Sequence, residues 1–284
     1  MSSVVQTTDS SVATRIIELV DADEVPLPSL PAVVLRAQQM LASDRASAAT
    51  LADLLTQDAA MVTALMRLAN SATFGGLGRI DTLGAAIQRI GMTQVGAIVT
   101  GIGLKDQFEH KDPARAATLR TLWTHSVTSA FAARALAKKI SVNPERAFLA
   151  GLLHDCGKVL VMTSLDVLRK RKERWSVTEE TRRDLIRALH CTLGHRVLTS
   201  WGFPDDVAHA TLMHHDPAEP GQDLVLIVQA ANLITRRLGY HEMPDPTISV
   251  VEDPIIEEMG LTDMQVATLM VDMEIHLEEM QSIF

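Results

Sequence analysis

Apolar residues recur at helical spacing along nearly the whole of this chain, and no stretch gives a confident strand pattern. Val33, Leu35, Met40 and Leu41 mark one helix, Leu51, Leu54 and Leu55 a second, and Met61, Leu65, Leu68 and Ala69 a third. Breakers punctuate the pattern at Pro28 and Pro31, at Gly75-Gly76-Leu77-Gly78, from His110 to Pro113, from Ser141 to Pro144, and at Gly202-Phe203-Pro204. The expectation is an all-α protein. At 284 residues, 47% of them hydrophobic, the chain is long enough for two helical subdomains sharing one continuous core. Met40, Met61, Met66 and Met92 read as adaptable core filler rather than as a binding surface.

A formal net charge of -9 argues against nucleic acid, because phosphate affinity comes mainly from accumulated Lys and Arg, so no DNA partner is expected. With 4% aromatic residues, stacking platforms for single strands are not evident either. One local exception is the basic run from Arg169 to Arg174, continued by Arg182, Arg183 and Arg187. It could draw an acidic partner or a nucleotide's phosphates, but a solvated helix face is the preferred reading. No apolar run reads as long enough to span a membrane, and Met1-Ser2-Ser3-Val4 lacks the basic start of a signal peptide. A cytoplasmic protein without a membrane partner is expected.

The chemistry concentrates in Gly151-Leu152-Leu153-His154-Asp155-Cys156-Gly157-Lys158. Asn143 and Pro144 look like N-cap and first residue of a helix, and Gly157 like the residue that ends it, which puts His154 and Asp155 in its last turn. A neutral imidazole beside a carboxylate is a sound ligand pair for a divalent metal. Adjacent helical residues point about 100° apart, so the pair can share an ion only if other helices supply further ligands. His125, His190 and the doublet His214-His215, each on a stretch that reads as helix, are the candidates. A lone histidine on an apolar helix is ordinarily a hydrogen-bonded core residue; their combination with the His-Asp pair is what points to metal. Cys156 and Cys191 each follow a candidate ligand, which could place thiols near the site. Both are read as small buried apolar side chains, and two cysteines make no disulfide framework.

His125, His154-Asp155 with Gly157-Lys158, His190 eleven residues before Trp201, and His214-His215 together resemble the HDOD family, the HD-related output domains of bacterial signalling proteins. The amino-terminal half agrees. Val25 to Pro31 resembles the family's entry segment, Gln57-Asp58 through Leu68-Ala69-Asn70-Ser71-Ala72 its Asn-Ser helix, and Ile80 to Ile87 with Ile90-Gly91 the following helix and turn. The resemblance runs from about Asp23 to about Tyr240. It implies an HD-like helical bundle over residues 111–240, an amino-terminal helical subdomain over 23–110, a tail and short helix over 1–22, and a loop with an amphipathic helix over 241–284.

Carried over residue by residue, the resemblance to HD phosphohydrolases assigns His125, His154 and Asp155 to one ion and His190, His214 and His215 to a second. It gives Lys158 to a substrate phosphate. One or two divalent transition ions (Fe, Mn, Ni or Zn) are implied. Two departures follow. Where the family places a later Asp, this chain has Asn232, a neutral and weaker ligand, and the Gly-Tyr-Pro of the HD-GYP enzymes is missing after His214-His215. The resemblance thus implies a regulatory protein with a partly kept metal pocket, acting through a signalling protein or a nucleotide second messenger. The alternative is a metal-dependent phosphohydrolase of a nucleotide or cyclic dinucleotide. At the carboxyl end, Leu261, Val266, Leu269, Met270, Met273 and Leu277 form an apolar stripe on a helix capped near Thr262 or Asp263. Packing back on the bundle is the preferred reading and a homodimer seam the other.

Overall fold

Side-chain caps and glycine contacts explain where the helices begin and how closely they pack. The computed structural model describes residues 2–26, 30–43, 46–71, 74, 78–171, 173, 175 and 177–281, and among these no residue is in a strand. Pro28, Gly75-Gly76, Ala72, Lys172 and Arg174, named above as breakers or motif residues, lie outside the described residues. Two compact units form, one from residues 1–29 and 153–225, the other from 30–152 and 226–284.

The first unit contains α1 (Ser2–Asp21), α9 (Cys156–Lys170), α10 (Glu179–Ser200) and α11 (Asp205–Met213). Val12, Ile16, Leu19 and Val20 bury one stripe of α1. Its polar face is tied by Arg15, whose guanidinium holds both oxygens of Glu173 at 3.2 Å, and by Arg196, which pairs with Asp21 and donates to the Val20 carbonyl at 3.1 Å. α9 and α10 pack most extensively, and the reason is a pair of glycines. A Cβ on Gly157 would lie 1.9 Å from the carbonyl oxygen of His190, and one on Gly194 3.3 Å from the amide nitrogen of Gly157 as well as 2.8 Å from Thr211 Cγ2 on α11.

The second unit contains α2 (Ala32–Leu41), α3 (Ala48–Leu55), α4 (Ala59–Ala69), α5 (Leu83–Ile90), α6 (Met92–Leu104) and α7 (Pro113–Lys139). With them go nearly all of α8 (Pro144–Leu153), most of α12 (Asp223–Arg237), α13 (Pro254–Glu258) and α14 (Asp263–Gln281). Ser47, Asp58, Thr82, Asp112 and Asn143 each accept backbone N–H bonds at a helix start, so these boundaries are written locally. The three helices expected from Val33 to Ala69 are present. In α2, however, Val34 and Ala37 are the buried residues and Leu35 is exposed, and the helix sets Val34 and Leu41 against the glycines Gly103 and Gly96 of α6. α14 packs on α7 through buried Val266, Leu269 and Met273, as the stripe suggested, and Thr262 caps it reciprocally with Gln265.

The Asn-Ser motif has a structural job. Asn70 accepts the N–H of Ile80 at 2.8 Å and donates to the carbonyls of Met66 and Ile80, both at 2.9 Å, which pins the segment leading to α5. Asn70→Ala is expected to lose about 1–2 kcal/mol, read as a lower urea midpoint at constant slope, since these bonds are exposed to water and each contributes modestly. An unchanged midpoint would mean that the clamp is not what holds the turn.

Pro144–Lys170 is long and apolar enough to cross a membrane, which corrects the reading that no such run exists. It is interrupted by a turn at His154-Asp155, and 89% of its most apolar window is buried inside the protein, as in core helices.

Candidate metal centre

The helix that starts at Pro144 ends at Leu153, not at Gly157. His154 and Asp155 form the turn, Asp155 is the N-cap position of α9, and Gly157 lies inside the first turn of α9. The glycine serves close approach to α10, where the Cβ of any other residue would meet the backbone of His190 and Gly194. His190 sits in the middle of α10. His214 and His215 occupy the turn just after α11, with His214 as its C-cap, so these two are not helical as expected. Two helix ends and one helix face therefore present their side chains to one another within the first unit.

Three buried acceptors converge there. His190 Nδ1 donates to the Ile186 carbonyl and His214 Nδ1 to the Thr211 carbonyl, both at 2.8 Å. A carbonyl can only accept, so both Nδ1 atoms carry hydrogen and the neutral rings expose lone pairs at Nε2. Burial holds both imidazoles neutral: desolvation lowers the pKa of His190, and that of His214 well below the usual histidine value. Those two Nε2 atoms lie 3.3 Å apart, and Asp155 Oδ1, a third acceptor, lies 3.6 Å from one and 3.8 Å from the other. His215 Nε2 is 3.2 Å from His190 Nε2, and burial with the neighbouring His190 takes its pKa down to about 4 although the residue as a whole is exposed. Acceptors facing acceptors are satisfied by a cation or a donor held between them. With metal–nitrogen bonds of about 2.1 Å, neighbouring ligands on one ion stand about 3.0–3.4 Å apart, so the imidazole spacings fit a divalent transition metal.

The other oxygen of Asp155 has different company. Oδ2 lies 2.9 Å from Lys158 Nζ and 3.3 Å from His154 Nε2, with His154 fully buried and Lys158 8% exposed. The lysine assigned by resemblance to a substrate phosphate thus holds a carboxylate. Cys191 reads in the sequence as a buried apolar side chain, yet its Sγ lies 3.4 Å from His190 Nε2. Desolvation, with Asp155 nearby, pushes its thiol up to about 12. Its position directly after His190 was the available signal. Cys156 is the plain case: buried, with its thiol donating to the Gly194 carbonyl at 3.9 Å.

His125 and Asn232 belong to the second unit, so the first unit assembles His154, Asp155, His190, His214 and His215 without them. His125 is fully buried on α7, and its Nδ1 donates to the Tyr240 carbonyl at 2.8 Å, the same carbonyl-fixed tautomer that His190 and His214 show. Asn232 Oδ1, on α12, is buried without a hydrogen-bond partner, an acceptor with no donor supplied by the protein. The basic cluster behaves as a solvated face: Arg169, Arg171, Arg182 and Arg187 pair with Asp166, Glu24, Glu179 and Asp184.

Known proteins resemble this chain in sequence and in fold. An uncharacterized protein of Treponema pallidum (strain Nichols) is 24% identical over 262 residues, covering 86% of this chain and 49% of that protein. Ribonuclease Y of Geobacter sulfurreducens is 26% identical over 136 residues, covering 47% of this chain and 22% of that enzyme. The chain spans about half the length of the first relative and less than a quarter of the second. Two crystal structures share the fold. A Shewanella amazonensis SB2B protein with the provisional name metal-dependent phosphohydrolase superposes with TM-score 0.79 at 21% identity, covering 96% of this chain and 99% of the other. An HDOD domain protein with unknown function from Geobacter sulfurreducens superposes with TM-score 0.71 at 22% identity, covering 97% and 99%. The model of the HDOD domain matches residues 27–217, the span that carries the Asn70 clamp and the whole histidine cluster of the first unit, and the chain belongs to the HDOD domain family.

Proposed function

We propose that this protein is a bacterial signal-transduction component of regulatory type, which keeps an HD-type metal pocket and acts by binding a protein or a nucleotide second messenger rather than by catalysis. The observation that carries the metal half is the convergence of the His190 and His214 lone pairs on Asp155 Oδ1. His154, Asp155, His190, His214 and His215 are the proposed ligands, with His125 added on the resemblance. A bound ion would supply Lewis-acid polarisation and an activated water. Against turnover stand Asn232 in place of the last carboxylate, and Lys158 Nζ engaged with Asp155 Oδ2.

A second reading, a metal-dependent phosphohydrolase of a nucleotide or cyclic dinucleotide, is favoured by the match to ribonuclease Y, by its name an enzyme that cleaves RNA. One experiment separates the two. Protein purified without tag or chelator is compared with His154→Ala and His190→Ala for metal content, and assayed on phosphodiesters with added Mn or Fe. We expect about one or two equivalents of transition metal, lost in both variants, with no turnover by the native chain and measurable hydrolysis gained by Asn232→Asp. Turnover by the native chain that vanishes in His154→Ala would establish the enzyme instead. Metal-free native protein with both variants normally folded would sink the pocket altogether.

A further inference from the structure

One side chain beside the histidine cluster has no role under the resemblance. Cys191 Sγ lies 3.4 Å from His190 Nε2 and 3.9 Å from His214 Nδ1. His190 Nε2 lies 3.3 Å from His214 Nε2 and 3.2 Å from His215 Nε2. Taking one ligand atom from each, the four residues lie within 4.8 Å of one another. Neighbouring helical residues diverge by about 100°, so His190 and Cys191 converge only on something held between them, and the turn carrying His214 and His215 faces that gap.

Elementary geometry says what fits. Around one tetrahedral ion with metal–sulfur bonds of about 2.3 Å and metal–nitrogen bonds of about 2.1 Å, sulfur and nitrogen stand about 3.6 Å apart and two nitrogens about 3.4 Å. The spacings around His190 Nε2 agree with these within a few tenths of an ångström.

We propose that Cys191 is a metal ligand, and that with His190, His214 and His215 it forms a site of one thiolate and three imidazoles that takes zinc in preference to iron(II) or manganese. The proposal rests on the metal reading above and goes beyond it by naming the ion and its role. Thiolate is a soft ligand that favours zinc, whereas manganese favours oxygen donors, and zinc binds nitrogen and sulfur sites more tightly than either competitor. On binding, the thiol gives its proton to solvent and a zinc–sulfur bond forms, with no change of oxidation state. These four donors, with Asp155 Oδ1 adjoining two of them at 3.6 Å and 3.8 Å, leave no position for water, as in structural zinc sites; catalytic sites keep one open. The same residues would therefore retain a metal without turning over a substrate.

The test uses the full chain, stripped of metal and titrated with cobalt(II) as a spectroscopic substitute for zinc. We expect the native chain and Cys156→Ala to show the near-ultraviolet thiolate-to-cobalt charge-transfer band. Cys191→Ser should still bind cobalt, lack the band, and bind zinc at least about tenfold more weakly, with unchanged helical circular dichroism. Cobalt bound by the native chain without that band would overturn the proposal while leaving the metal pocket standing. No cobalt or zinc bound by the native chain would overturn both. Zinc displaced by equimolar iron(II) or manganese would overturn the selectivity.

Discussion

Gly157→Ala is expected to destabilise the protein by about 3–5 kcal/mol, a larger effect than most single substitutions produce. The added Cβ would stand 1.9 Å from the carbonyl oxygen of His190, 2.6 Å from the amide nitrogen of Gly194 and 2.8 Å from the His190 carbonyl carbon. All three are backbone atoms on α10, so no rotamer change relieves the overlap and the two helices must separate. Separation empties the contact between α9 and α10 and carries His190 away from Asp155. Metal affinity should therefore fall together with the melting temperature. Gly84→Ala is the control. Gly84 is also helical, in α5, and a Cβ there has open space, so that substitution should stabilise by up to about 1 kcal/mol through helix propensity and unfolded-state entropy. If Gly157→Ala and Gly84→Ala behave alike in thermal unfolding, backbone contact between α9 and α10 is not what fixes the site.

Gly157 also shows how far the sequence reaches. A glycine after an apolar helical run reads as a helix end, and the same residue reads identically when it is there to let two backbones touch; only the partner helix, some thirty-odd residues away, distinguishes them. Chemistry-bearing residues were legible because identity and order carry the information: His154-Asp155, His190 and His214-His215 meet in one unit. Their local conformation was less so. Both doublets fall in turns, where a helix end can aim two consecutive side chains at one point. The inward face of α2 departs from the sequence pattern for a related reason: Leu35 is the larger apolar residue, but Gly96 and Gly103 on α6 accept Leu41 and Val34, and tertiary fit overrides side-chain size. Cys191 is undervalued in the sequence because its one signal, following His190 directly, is weak on a helix, where neighbouring side chains point about 100° apart.

Asp155→Asn should both abolish metal retention and weaken the metal-free protein by about 3–5 kcal/mol. Two charges are held out of water here: Asp155 is 2% exposed and Lys158 8% exposed, with Nζ and Oδ2 2.9 Å apart. Replacing the carboxylate by its isosteric amide keeps the shape and an acceptor for the ammonium, but removes the negative charge that offsets the cost of burying it. Breaking such a pair from one side costs far more than exchanging both partners for apolar groups of similar volume. Lys158→Met placed on Asp155→Asn should therefore restore most of the lost stability, giving a coupling well above 1 kcal/mol in a double-mutant cycle run with chelator present. Metal content separates the two roles of the carboxylate. Oδ2 is held by the lysine and Oδ1 faces His190 and His214, so the double variant recovers its fold yet stays without metal. A double variant that regains metal would show that Oδ1 is not a ligand, and equal stability of native and Asp155→Asn proteins in chelator would show that the ammonium does not depend on its charge.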